Sequence, residues 1–121
     1  QAQALRSEPR LHLRQDDVFR FIAAPPGAER FDAILLDVDH DPEALLAPEN
    51  AAFYTAAGLR AACAHLVQGG VLATWSTAPN DAFAGTLRSV FTEVSVESVR
   101  FWNELVDEEK VDTLFFGQGR R

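Results

Sequence analysis

Acidic side chains crowd one stretch of this sequence. Asp37, Asp39 and Asp41 alternate through Asp37-Val38-Asp39-His40-Asp41-Pro42, with Glu43 and Glu49 close behind. They follow directly on the apolar run Ala33-Ile34-Leu35-Leu36, so the first carboxylate stands where a buried strand ends. A carboxylate so placed can hold a cation, or orient and deprotonate an ammonium nucleophile. His40 adds an imidazole that titrates near neutrality, although a lone exposed histidine is more often idle. A second acidic pair, Asp16-Asp17, precedes Val18, Phe19, Phe21 and Ile22 and is suited to capping a helix. Tyr54 and Trp75 could wall a substrate pocket, and core packing explains each equally simply. An acidic loop is also often no more than a solvated one. Metal binding is not expected, because Asp39-His40-Asp41 sends neighbours to opposite sides of an extended chain and no other spacing makes a ligand set. Ser76 lacks the glycine-flanked turn of a hydrolase nucleophile.

These residues need elements to hold them. Leu11 to Gln15 alternates like a short strand, and a short helix follows Asp16-Asp17 up to Pro25-Pro26-Gly27. Phe31 to Asp39 contains the unbroken apolar run of a strand covered on both faces in a parallel sheet. Helical spacing then runs from about Asn50 to Val67, stopped by Gly69-Gly70, where glycine supplies a left-handed cap. Val71 to Ser76 reads as the next strand, and Asn80 or Asp81 caps a helix over Phe83 to Phe91. Val94 to Trp102 and Val111 to Phe116 flank the acidic turn Glu104 to Lys110 as an antiparallel pair. The order predicts an α/β, Rossmann-like, doubly wound and mainly parallel sheet with a C-terminal antiparallel strand pair. Ligands in such sheets lie beyond the C-terminal strand ends, which selects Asp16-Asp17, Asp37 to Pro42, and Trp75 to Asp81.

Composition narrows the function. Eleven basic against 18 acidic residues give a formal charge of −7, which disfavours nucleic-acid phosphates and anionic membranes and suits a small-molecule substrate, neutral or a cationic amine. At 121 residues and 47% apolar content the chain fits one domain, residues 11–121, with 1–10 read as a linker or cut end. Cys63 is the only cysteine and reads as a buried core residue, so no internal disulfide forms and a cytoplasmic setting is expected. No run approaches the ~20 apolar residues of a membrane span.

The ordered set Arg14-Gln15-Asp16-Asp17-Val18-Phe19-Arg20-Phe21-Ile22, Phe31 through Pro42, Phe53-Tyr54, Leu66 through Ala73 and the final antiparallel pair resembles the later part of class I methyltransferase-fold proteins. The likeness is greatest to the spermidine synthase-like, or polyamine aminopropyltransferase-like, group. It implies an S-adenosylmethionine or decarboxylated S-adenosylmethionine cofactor. Asp17, beside Asp16, would take the adenine amino group, Val18 would pack on the ring, and Asp37 would lie beside the sulfonium as base or anchor for the attacking amine. Asp39, His40, Asp41, Tyr54 and Trp75 would then face the substrate. The aminopropyltransferase loop usually reads Asp-Ser-Ser-Asp-Pro followed by Gly-Pro, whereas Asp37 to Pro42 has one residue more and no Gly-Pro. Methyl transfer to another acceptor therefore stands beside aminopropyl transfer.

Upstream, no glycine-rich strand-to-helix turn and no ribose-holding acid at a second strand end are present, and Gly117-Gln118-Gly119 cannot replace them because no helix can follow. In this fold two further strands would lie between the Leu11 and Phe31 segments. Their absence bares a hydrophobic edge that invites pairing with another chain, so a homo-oligomer or a longer parent protein is expected. The leading expectation is a group transferase whose isolated fragment is inactive. The alternatives are a noncatalytic dimerisation or regulatory module, and, with nothing to bind a pyrophosphate, a weaker nicotinamide-dependent oxidoreductase half.

Overall fold

The structure is a computed structural model that describes residues 7–121; of the expected linker or cut end, 1–10, residues 1–6 lie outside the described residues. Helix α1 (Val18–Ala23) starts where the Asp17 carboxylate accepts the backbone N–H groups of Phe19 and Arg20, satisfying donors that a first turn leaves free. Strand β1 (Phe31–Leu36) follows, then a 3-10 helix (Pro48–Tyr54), α2 (Ala56–Cys63), β2 (Leu66–Ser76), α3 (Asp81–Val90), β3 (Phe91–Asn103) and β4 (Glu108–Arg120). Asn80 caps α3 through Phe83 N, as the sequence led us to expect.

The four strands form one sheet in the order β1-β2-β4-β3. β1 runs parallel to β2, whereas β2–β4 and β4–β3 are antiparallel. The expected α/β, Rossmann-like architecture with an antiparallel C-terminal pair is therefore present, with a single parallel pairing. Leu11 to Gln15 departs from expectation: it is irregular and exposed, not a strand. Alternation alone cannot make a strand when no neighbour accepts its ladder of hydrogen bonds.

The helical pattern expected from Asn50 to Val67 is also divided. Thr55 is extended and caps α2 through Gly58 N, and a Cβ on Gly58 would stand 2.0 Å from the Ala52 carbonyl oxygen. This close approach folds the 3-10 helix against α2 instead of letting one helix run through. β2 begins at Leu66, earlier than the sequence suggests, and Gly69, at φ +80°, serves a strand irregularity rather than a helix cap. There Phe31 pairs with Leu66 but Ala33 with Val71.

The three α-helices contribute Ile22, Leu59, Cys63, Phe83 and Leu87 to a single core against Leu36, Leu72 and Phe115. Each such large side chain stabilises the fold by about 1.5–3 kcal/mol. Side chains alternate across a strand, and the opposite face of the sheet carries Ala33, Leu35, Val71, Ala73, Trp75, Leu114 and Phe116. Leu35 there is 77% exposed, and β1 pairs with β2 alone among the described residues. One helical layer is thus in place, Leu35 is bare on the other face, and among the described residues the edge strands β1 and β3 each have one free edge. No helix of the described residues is long and apolar enough to cross a membrane.

Candidate functional site

β1 and β2 run in the same direction, so their C-terminal ends, Leu36 and Ser76, open onto one mouth. Two loops meet there. Thr77 N donates to the His40 carbonyl oxygen at 2.7 Å, and the Asn80 amide reaches the Glu43 carboxylate at 3.4 Å. His40 N donates to the Ala44 carbonyl at 3.2 Å, and Asp41 Oδ1 accepts from Glu43 N at 2.8 Å. The loop after β1 is therefore a turn held by its own polar groups.

Asp39 anchors it. Its side chain lies in a residue only 5% exposed, and both carboxylate oxygens are engaged. Oδ1 accepts from the Leu46 backbone N–H at 2.8 Å and the Asn50 amide at 2.9 Å, and Oδ2 accepts from the Tyr54 hydroxyl at 2.8 Å. A buried carboxylate requires such donors. Burial first, then the hydrogen bond to Asp39 and the negative charges of Asp39 and Asp41, push the Tyr54 phenol far above its ordinary value of 10.0. Tyr54 is fixed further by edge contacts with the Phe53 and Phe83 rings.

Asp37 differs from its neighbour two residues on. It directly follows β1, is exposed, and makes no hydrogen bond or ion pair among the described residues. The His40 ring and the Asp41 side chain also border solvent at this mouth, His40 exposed and Asp41 half-buried. Trp75 is half-buried on the sheet face opposite Tyr54, where its indole N–H donates to Asp112 Oδ2 at 2.7 Å. Tyr54 and Trp75 therefore do not share a pocket wall.

The acidic pair before α1 is split as well. Asp17 borders a cavity of about 320 Å³ between α1 and the 3-10 helix. Asp16 and Val18 instead border one of about 590 Å³ with Phe21 and Phe31, a size that suits a small ligand. Asp16 Oδ2 pairs with Arg14 at 3.0 Å, and the Arg14 guanidinium lies 4.8 Å from the centre of the Phe21 ring. The structure thus has Asp16, not Asp17, lining the cavity that Val18 lines.

Sequence reasoning overlooked Asn50. Its spacing of four from Tyr54 was the available signal, since such pairs fall on one side of a helical segment. Among the described residues no group of three or more His, Cys, Asp and Glu could hold a metal ion.

No protein-family model and no curated protein matches the chain. Several solved structures resemble it, among them the following two. Human methyltransferase-like protein 13 in complex with SAH superposes with a TM-score of 0.66 at 21% identity, over 92% of this chain and 50% of that one. A SAM-dependent O-methyltransferase from Thermotoga maritima superposes with a TM-score of 0.54 at 17% identity, over 93% of this chain and 40% of that one. At these identities the likeness shows the fold, which is the class I methyltransferase fold, and the chain spans half or less of either neighbour's length.

Proposed function

We propose that this chain is the acceptor-side part of an S-adenosyl-cofactor-dependent group transferase. The observation that carries the reading is the exposed Asp37 carboxylate at the C-terminal end of β1, without a hydrogen bond or ion pair among the described residues, on a loop held by its own hydrogen bonds, in a sheet of this fold. S-adenosylmethionine supplies an electrophilic carbon on a sulfonium, its methyl group, and the decarboxylated form supplies an aminopropyl carbon.

The residues present fit one end of such a cofactor. The cavity that Asp16 and Val18 share with Phe21 and Phe31 would hold the adenine, with Asp16 accepting its amino group, Val18 against the ring and Asp17 holding α1 in place. Asp37 would hold the acceptor and take its proton, and a carboxylate not engaged by the protein is available for both tasks. Asp39, with Asn50 and Tyr54, acts one step removed by fixing the loop that carries Asp37, His40 and Asp41. The glycine-rich part of the site is not among the 121 residues, so in this reading the isolated chain is inactive and residues beyond it complete the site.

An amine acceptor agrees with the acidic mouth. The loop is not that of known polyamine aminopropyltransferases, so spermidine synthase-like transfer and methyl transfer are both retained at this level. Asp37→Asn in the complete protein is expected to lower turnover at least 100-fold, the usual scale for a general base, with cofactor affinity little changed. Unchanged turnover would remove Asp37 from the mechanism.

The missing glycine turn favours one other reading, a noncatalytic module that keeps the fold for dimerisation or regulation. The bare β1 edge and Leu35 would then pair two copies in a homo-oligomer.

A further inference from the structure

The β3–β4 hairpin is longer than the sheet that carries it. β2 ends at Ser76, opposite Thr113, yet β3 and β4 continue together for five more residue pairs, from Val99↔Asp112 to Asn103↔Glu108. At about 3.4 Å per residue this makes an arm of roughly 17 Å beyond the mouth formed by β1 and β2. The Trp75 indole, hydrogen-bonded to Asp112 at 2.7 Å, ties the root of the arm to the end of β2.

The arm is apolar where exposure is greatest. Leu105 is 96% exposed, Trp102 58% and Val106 53%, with Phe101 and Val111 beside them. Phe101 and Trp102 are adjacent and so point to opposite faces, which leaves both sides of the arm sticky. A fold gains nothing from placing a tryptophan and a fully exposed leucine on a projection, and such patches mark contact sites.

The charge on the arm selects the partner. From Glu97 to Asp112 there are six acids against two bases, Arg100 and Lys110. Both bases are already paired within the hairpin, Arg100 with Glu109 and Lys110 with Glu108. Glu104 and Asp107 flank Leu105 and Val106 and make no ion pair among the described residues. Two such arms would repel each other, and an anionic membrane would repel one. A free small amine could not use an apolar tip this far from the mouth.

We propose that the β3–β4 arm is a docking element for a basic polypeptide segment with an apolar anchor, gripping it through Trp102, Leu105 and Val106 while Glu104 and Asp107 meet its cationic residues. The inference stands on the arm alone and does not rest on the transferase reading.

The test is fluorescence anisotropy of a labelled lysine-rich peptide carrying one central Trp-Leu pair, titrated with the protein and with its Trp102→Ser and Leu105→Ser variants. Both side chains lie on the surface, so unchanged thermal melting is expected. Each variant should weaken binding about tenfold or more, as anchors at interfaces do, and the same peptide with glutamate for lysine should not bind. The proposal is overturned if the lysine peptide does not bind, or if both variants bind it as the parent does. It is overturned equally if phosphatidylserine vesicles bind through the arm, or if the protein sediments as a dimer that Leu105→Ser dissociates.

Discussion

Removing the Asp39 carboxylate should unfasten the loop after β1, and the cost can be worked from its partners. Asp39→Ala leaves the Asn50 amide, the Tyr54 hydroxyl and the Leu46 N–H without their acceptor. Leu46 is 65% exposed, so water can replace its partner there. Asn50 is buried and Tyr54 half-buried, and hydrogen bonds to a charged group contribute about 1.5–3 kcal/mol each. Two such bonds sum to about 3–6 kcal/mol, and because Tyr54 keeps access to water the expected loss lies low in that range, at about 3–4 kcal/mol. With a urea slope of about 1.5–2 kcal/mol/M, the unfolding midpoint should fall by roughly 2 M. Tyr54→Phe removes one bond and should cost about 1–2 kcal/mol. The double variant should cost less than the two losses added, because the second change has no bond left to break. A loss under about 1 kcal/mol for Asp39→Ala, or strict additivity in the cycle, would refute the account of Asp39 as the anchor of the loop.

Tyr54 is the only tyrosine, so near-ultraviolet absorbance reports it directly. Its folded phenol titrates far above the unfolded value of 10.0; the unfolded chain therefore loses a proton first. Stability should hold below about pH 10 and then fall by at most about 1.4 kcal/mol per pH unit, with phenolate appearing only on unfolding; phenolate at pH 10 in the folded state would contradict this. Burial raises the Cys63 thiol, outweighing the nearby Arg120 and Arg60. A thiol reagent at neutral pH should accordingly react only after denaturant is added, and rapid native labelling would count against the buried placement. Gly58→Ala drives a Cβ into the Ala52 carbonyl and should cost about 1–3 kcal/mol. Gly85→Ala, with nothing within 4 Å inside α3, should instead stabilise by about 0.5–1 kcal/mol. Thermal melts that move the two variants the same way would refute the packing described around Gly58.

The elements that were legible in the sequence carry their signal locally. Phe31 to Leu36 is announced by its apolar run, α1 and α3 by their capping acid and amide, and the final pair by two apolar stretches around an acidic turn. Other features depended on distant partners. Leu11 to Gln15 has the alternation of a strand but no neighbour to pair with among the described residues. The break at Thr55 arises from contact between Gly58 and Ala52, which helical spacing alone does not reveal. Asp37, Asp39 and Asp41 look alike along the chain. Only the fold shows that Asp39 is buried against Asn50 and Tyr54 while Asp37 is exposed. The same holds for Asp16 and Asp17, adjacent in sequence but assigned by the turn of α1 to different cavities.

The central claim is that these residues form one part of a divided S-adenosyl-cofactor site. Calorimetric titration of S-adenosylmethionine, its decarboxylated form and methylthioadenosine into the 121-residue chain, and into a version extended upstream, tests it most directly. Binding by the extended form alone is predicted, with the tighter cofactor indicating methyl or aminopropyl transfer. Silence from both, with each shown to be folded by circular dichroism, would contradict the claim and leave the noncatalytic module standing.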